Sequence, residues 1–154
     1  MPLHSYIVQL VIFGLAIAVV TDFLQLITGK EKFRSLATWL LLIGTTAAIA
    51  AVITGNQARE IVEIPSGVEA LVDAHRQSGL LTMWVFIALT AIRFAFHIFG
   101  LFKKPLKWGY YLLAIVALIF LFRTGTLGAN LVNEHGVSVK KSEQKPIKKP
   151  GFDE

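Results

Sequence analysis

Residues 5–28 read SYIVQLVIFGLAIAVVTDFLQLIT, an almost unbroken apolar run. About 20 such residues cross a bilayer as an α-helix, because a helix rises about 1.5 Å per residue and the hydrocarbon core is about 30 Å thick. The run is too long for the apolar part of a signal peptide, has no positive leader, and is not followed by a convincing cleavage site. We therefore expect residues 5–28 to be the first membrane span, retained in the mature protein.

Three further apolar segments of similar length follow, and they predict spans over about 36–54, 79–102 and 108–130. Hydrophobic residues make up 55% of the 154 residues and charged residues only 16%. A soluble domain of this size could not bury so much apolar surface. Backbone groups in hydrocarbon must bond within their own segment, which favours helices. The sequence thus predicts an all-α integral membrane four-helix bundle.

The connections between the spans predict how the helices are paired. The first connection (29–35) and the third (103–107) are very short, so helices one and two form one hairpin and helices three and four another, in up-down-up-down order. The middle connection, 55–78, is long and acidic, and its second part has helical spacing. Residues 1–137 are expected to form the transmembrane domain, and residues 138–154 a polar, lysine-rich tail.

This order defines two faces of the membrane. Face A holds the N-terminus, the middle connection and the tail; face B holds the two short connections. Face B carries most of the basic loop residues, namely Lys30, Lys32, Arg34, Lys103, Lys104 and Lys107. The positive-inside rule then puts face B in the cytoplasm and both termini on the non-cytoplasmic side of the inner membrane. Counting the five lysines of the tail would erase this bias.

Several classes of function find no support in the sequence. The chain has no cysteine, which excludes disulfides, thiolate-held iron–sulfur clusters and thiol catalysis. No interleaved basic and aromatic surface predicts nucleic-acid binding. No protease, hydrolase or P-loop motif is present, so the chain is more consistent with a non-enzymatic role on its own. The expected partners are the lipid bilayer and other membrane subunits of a larger complex.

Two charged residues lie inside the spans near face B. Asp22 falls in the first span and Arg93 in the third, at similar depths. Charges in a membrane are costly unless they pair. We interpret the two residues as a structural ion pair; one wall of a quinone or proton site is the alternative.

Face A gathers three of the four histidines. His4 opens the first span, His75 precedes the third, and His135 follows the fourth, while Arg76 and Arg123 lie on the same side. Two histidines at matched depth could ligate a haem b, with the arginines neutralising its propionates. Three histidines with a carboxylate would equally suit Zn²⁺ or another divalent metal. The third possibility is that no cofactor binds and the histidines simply bond to helix ends.

The sequence GANLVNEHGV at residues 128–137 resembles the pattern Gly-Gly-x-Leu-Val-x-x-His-Gly-Val of a bacterial family of four-helix membrane proteins of unknown function. The family opens with His-Pro-x-x-Val-His-Phe-Pro; His4 matches its first histidine, and Gln9 stands in place of the second. Thr54-Gly55 and His75 resemble further family positions. Some similar domains are fused to Rieske-type iron–sulfur domains. The resemblance therefore implies a redox-associated membrane module holding haem b through two of the three histidines.

Three functions remain open at this point. The first is an electron-transfer subunit of a respiratory or photosynthetic type of complex, with haem b near the non-cytoplasmic face. The second is a non-catalytic accessory subunit without its own cofactor. A small transporter or ion channel is a weaker third, because polar residues at the membrane midplane are nearly absent.

Overall fold

The computed structural model describes residues 2–62, 64–100 and 104–137, and this part of the chain is built from four long α-helices. They are α1 (Pro2–Thr28), α2 (Glu31–Ile61), α3 (Glu69–Phe99) and α4 (Lys104–Asn133). All four are long and apolar enough to cross a membrane. The predicted all-α four-helix bundle is confirmed. The tail, 138–154, lies outside the described residues, as do Glu63 and residues 101–103.

The helices extend beyond the apolar segments that predicted them. α2 and α3 each have 31 residues, whereas about 20 suffice to cross the hydrocarbon. Hydropathy marks only the part of a helix that lies in lipid, so the polar ends were missed. α3 begins at Glu69, ten residues before the predicted start, and His75 therefore lies within the helix and not before it.

Glycines in the left-handed conformation end two of the helices. Gly29 has φ +66° and donates its N–H to the Gln25 carbonyl at 2.8 Å, after which α2 begins at Glu31. Gly100 ends α3 with φ +62°. A residue with a Cβ is strained at such angles, which explains why glycine ends a helix so often. The two-residue link Gly29–Lys30 makes α1 and α2 an antiparallel hairpin.

The four helices are arranged so that α1 and α3 are diagonal to each other. α1 packs against α2 and α4, and α3 packs against the same two helices. The middle of the bundle is apolar and fully buried; it contains Leu15, Leu41, Phe86 and Leu89. α1 and α2 approach closely at Gly44, where an added Cβ would lie 2.5 Å from the Leu15 side chain.

Hydroxyl groups link α3 to its two neighbours. Thr90 of α3 bonds to Thr45 of α2 at 2.8 Å. Thr124 of α4 bonds to Ser78 at 2.6 Å and to Thr82 at 2.8 Å. Between helices in lipid there is little hydrophobic driving force, so close packing and interhelical hydrogen bonds hold a bundle together. These bonds fix the rotation of α3 and hence the direction in which His75 projects.

Candidate functional site

A cavity of about 470 Å³ lies at the face A end of the bundle, and all four helices line it. Its walls are mostly apolar, with a few polar groups that converge from different helices. This composition is typical of sites for small molecules and cofactors. The polar and small residues that line it include His4, Gln9, Gly55, Arg59, His75, Arg76, Thr124 and Gly128.

His4 projects from the first turn of α1 and is held by Thr54 of α2. Its Nδ1 lies 3.1 Å from the Thr54 hydroxyl oxygen. That hydroxyl lies 2.9 Å from the Ala50 carbonyl oxygen and 3.2 Å from that of Ala51, and its one hydrogen satisfies these acceptors when it accepts from the imidazole. With the hydrogens assigned in this way, Nδ1 is the protonated nitrogen of the neutral ring. Nε2 keeps its lone pair, which is the state that a metal-ligating imidazole needs.

His75 projects from α3 and is held in the same way by α4. Its Nδ1 lies 3.2 Å from the backbone carbonyl oxygen of Thr124. A carbonyl oxygen only accepts hydrogen bonds, so Nδ1 must donate, and Nε2 of the neutral ring again carries the lone pair. The two histidines thus come from the diagonal helices α1 and α3, border one cavity and share one tautomer.

A glycine lies against each of these imidazole rings. A Cβ added to Gly55 would be 3.0 Å from His4 Cε1, and one added to Gly128 would be 2.9 Å from His75 Cε1. Both distances are shorter than a side chain normally tolerates. The absence of a side chain at these two positions lets each ring lie flat against the neighbouring helix. The glycines therefore preserve both the ring orientation and the width of the cavity.

Two arginines and their partners border the cavity on the side of the middle connection. Arg59 of α2 forms an ion pair with Asp73 of α3 at 2.9 Å. Arg76 of α3 donates from Nε to the Asn56 side-chain oxygen at 3.1 Å. Both guanidinium groups are at least partly exposed. Sequence reasoning selected Arg76 but missed Arg59; the only signal for Arg59 was its position one turn after Gly55.

The structure does not bring all the predicted site residues together. His135 follows the end of α4 and is exposed, and Arg123 is exposed on α4; neither lines the cavity. Depth alone had grouped them with His4 and His75, but the rotation of α4 turns Arg123 away. In the described part of the chain, no three His, Asp or Glu side chains are arranged to hold a metal ion.

The face B end of the bundle contains a buried ion pair between α1 and α3. Arg93 Nη1 lies 2.8 Å from Asp22 Oδ1, and both side chains are almost completely buried. Tyr110 of α4 donates a short hydrogen bond to Asp22 Oδ2. Arg93 also donates to the Thr38 hydroxyl and to the Arg34 carbonyl, each at 3.3 Å. The pair that the sequence suggested is thus part of a network that joins all four helices.

One comparison with known proteins identifies the family of this chain. No curated protein and no solved structure matches the chain significantly. A family model described as "Predicted membrane protein (DUF2231)" matches residues 1–141. The match covers all four helices, both cavity histidines and the sequence around His135. The chain is therefore a member of this family of membrane proteins, DUF2231.

Proposed function

We propose that this protein is a membrane electron-transfer subunit that holds one b-type haem between His4 and His75. The observation that carries the proposal is the matched environment of these two residues. They lie on diagonal helices and border one cavity, and in each the Nδ1 bonds to a neighbouring helix, which leaves Nε2 as the nitrogen that would bind iron. Hydrogen bonds that fix the tautomer in this way are the usual support of a ligating histidine.

The number of available ligands favours haem over a bare metal ion. A porphyrin supplies four nitrogens of its own, so the protein needs to add only two axial imidazoles. A structural or catalytic zinc site normally takes three or four protein ligands. The described residues offer two histidines at the cavity and no group of three metal-binding side chains. Cys-free chains can still ligate haem, since imidazole is the standard axial ligand of b-type haem.

The arginines at the cavity would pair with the propionate groups of the haem. Haem carries two propionates, and an anionic group at a membrane protein site needs a cationic partner. Arg59 and Arg76 both line the cavity at the face A ends of α2 and α3. Arg59 pairs with Asp73 and Arg76 bonds to Asn56, so the propionates would share or replace these partners. The apolar wall, including Val11, Ile12 and Leu121, suits the rest of the macrocycle.

The function that follows is electron transfer within a membrane complex. When bound, a b-type haem accepts and releases single electrons. In this proposal the haem lies close to face A, and the excess of basic residues in the face B loops favours a non-cytoplasmic location for face A. The fully buried apolar layer formed by Leu15, Leu41, Phe86 and Leu89 gives no support to a transport path through this bundle. The expected partners are subunits that deliver or remove the electron.

An absorption spectrum tests the proposal directly. The full-length protein is produced with adequate haem supply, purified in mild detergent, and measured oxidised and after dithionite reduction, together with haem and iron content. We expect a sharp b-type α-band and one haem per chain. His4→Ala and His75→Ala should each abolish it. His97→Ala and His135→Ala are the matched controls and should retain it, because neither residue lines the cavity.

A featureless spectrum and no bound iron, in protein purified from its native membranes, would contradict the proposal. Equal loss of haem in the His135→Ala control would contradict the assignment of the ligands. In the first case the remaining function is that of an accessory subunit without a cofactor.

A further inference from the structure

The outer face of α4 combines an apolar stripe with one arginine. Leu112, Ile115, Ile119, Arg123 and Thr126 are all exposed and follow each other at intervals of three and four residues. This spacing places them on one side of the helix, along the kind of seam by which two helices pack. An exposed apolar stripe alone is ordinary in a membrane protein, because lipid covers it. Contact with lipid tails does not account for an exposed arginine within this stripe.

Arg123 lies inside the span and not at its end. The next residue, Thr124, bonds through its carbonyl oxygen to His75 and through its hydroxyl to Ser78 and Thr82 of α3, which places Arg123 about one turn deeper than His75. α4 continues for ten more residues to Asn133, about 15 Å of helix. Arginines within spans normally face the bundle interior or a wet cavity and have a partner. Arg123 does neither: it points outwards and has no ion-pair partner among the residues the structure describes.

The direction of α4 makes it unfavourable for the Arg123 side chain to reach the nearer membrane surface, which is face A. Cα–Cβ bonds in a helix tilt towards its N-terminus. α4 begins on face B, so the Arg123 side chain starts out tilted towards the membrane interior and away from face A. Long basic side chains can snorkel to a nearby surface, but here the side chain must turn back against that tilt. A carboxylate at the same depth would satisfy the guanidinium without this change.

The described helices of a second copy of this chain do not offer such a carboxylate. Of the acidic residues in the described helices, only Asp22 lies well inside a span, and it is buried and paired with Arg93. The others, including Glu31, Glu69 and Asp73, are near helix ends. A partner with complementary charge must therefore be a different protein.

We propose that the face of α4 around Arg123 is a docking surface for a transmembrane helix of another protein, which places an Asp or Glu beside Arg123. The small side chain of Thr126, one turn further along the seam, allows the partner helix to approach closely. This surface is separate from the cavity, because Arg123 does not line it. The inference therefore stands whether or not the protein binds haem.

Site-specific photo-crosslinking in native membranes tests the docking surface. A benzophenone side chain is placed at Ile119, an exposed large residue of the seam, and at Ile43 on the outer face of α2 as a control. We expect the probe at position 119 to give one heterologous product, whose crosslinked peptide, identified by mass spectrometry, belongs to a transmembrane helix with an Asp or Glu. Arg123→Gln should lower the yield about tenfold, as expected for losing an interfacial charge pair, while Arg123→Lys retains most of it.

A charge exchange identifies the pair itself. Arg123→Glu should abolish the product, and replacing the partner's identified carboxylate by Arg should restore it. The inference is overturned by a product made only of this chain, including one that maps to its own residues 138–154. It is also overturned by crosslinks to lipid alone, by a partner helix without a carboxylate, or by an unchanged yield in Arg123→Gln.

Discussion

His4 and Asp22 lie on the same side of α1, eighteen residues apart. His75 and Arg93 are also separated by eighteen residues, on α3. Eighteen residues make five turns of an α-helix and span about 27 Å, close to the thickness of the hydrocarbon core. The α1–α3 diagonal therefore carries two polar sites, one near each membrane surface. The buried ion pair joins α1 and α3 at one end, and the two histidines lie on the same two helices at the other.

The first prediction concerns that ion pair. Arg93→Met alone leaves Asp22 buried and without its cation, and we expect it to lower the free energy of unfolding by about 3–5 kcal/mol. The double variant Asp22→Leu/Arg93→Met removes both charges and should recover more than half of this loss. Reversible unfolding of the detergent-solubilised protein measures both values. A double variant no more stable than Arg93→Met would contradict the inferred coupling.

The second prediction separates two neighbouring tyrosines. Tyr110 donates a short bond to the Asp22 carboxylate, whereas Tyr111 shares its one hydrogen between the Asp22 carbonyl and the Gln25 side-chain oxygen, both at 3.3 Å, and also bonds to Arg93. A hydrogen bond to a charged group contributes more than one to a neutral group. We expect Tyr110→Phe to cost about 1.5–3 kcal/mol and Tyr111→Phe less, because the hydrogen bonds that Tyr111 donates are long, in the same unfolding experiment. The opposite order would show that the carboxylate does not depend on the Tyr110 hydroxyl.

The third prediction uses the glycines beside the imidazole rings. Gly128→Ala would put a Cβ 2.9 Å from His75 Cε1, and the hydrogen bond to Thr124 limits how far the ring can move. We expect about 1–3 kcal/mol of destabilisation and a large loss of bound haem. Gly14→Ala is the control: its Cβ meets nothing within 4 Å, so the better helix propensity of alanine should leave stability equal or slightly higher. Haem content equal to wild type in Gly128→Ala would argue against His75 as a ligand.

The sequence was enough to predict the helices and the ion pair, but not to predict which residues line the cavity. Apolar runs report membrane depth, and depth was enough to place Asp22 and Arg93 at one level and His4 and His75 at another. Depth does not report helix rotation. Arg123 and His135 were grouped with the cavity because they are on the same side of the membrane, yet they do not line it. Rotation is set by contacts such as Thr124 with Ser78 and Thr82, which no pattern within a single helix reveals.

The residues that support the histidines were beyond sequence reasoning for a related reason. Thr54 was noticed only as part of a family-like Thr-Gly pair, and Thr124 was not noticed at all. Each bonds to a histidine about fifty residues away along the chain, Thr54 to His4 and Thr124 to His75. Threonine is common in membrane helices, where its hydroxyl usually bonds to the preceding turn. Only the packed bundle shows that these two positions face an imidazole.

The last prediction concerns the tautomer of His4. The Thr54 hydroxyl donates its hydrogen to the Ala50 carbonyl and accepts a hydrogen bond from His4 Nδ1. Thr54→Val removes this acceptor and nearly preserves the shape of the side chain. Thr54→Ser keeps the acceptor. We expect the nitrogen NMR signals of His4 in the haem-free protein to report a neutral ring protonated at Nδ1 in wild type and in Thr54→Ser. In Thr54→Val the ring should shift towards the Nε2-protonated form, because its only remaining acceptor in the described part of α2 is the Ala51 carbonyl. Haem affinity should fall by about 10–100-fold in Thr54→Val alone, since the hydrogen bond behind a ligating imidazole orients it and raises its basicity. A changed tautomer with unchanged haem affinity would show that His4 is held by Thr54 for structure and does not ligate iron.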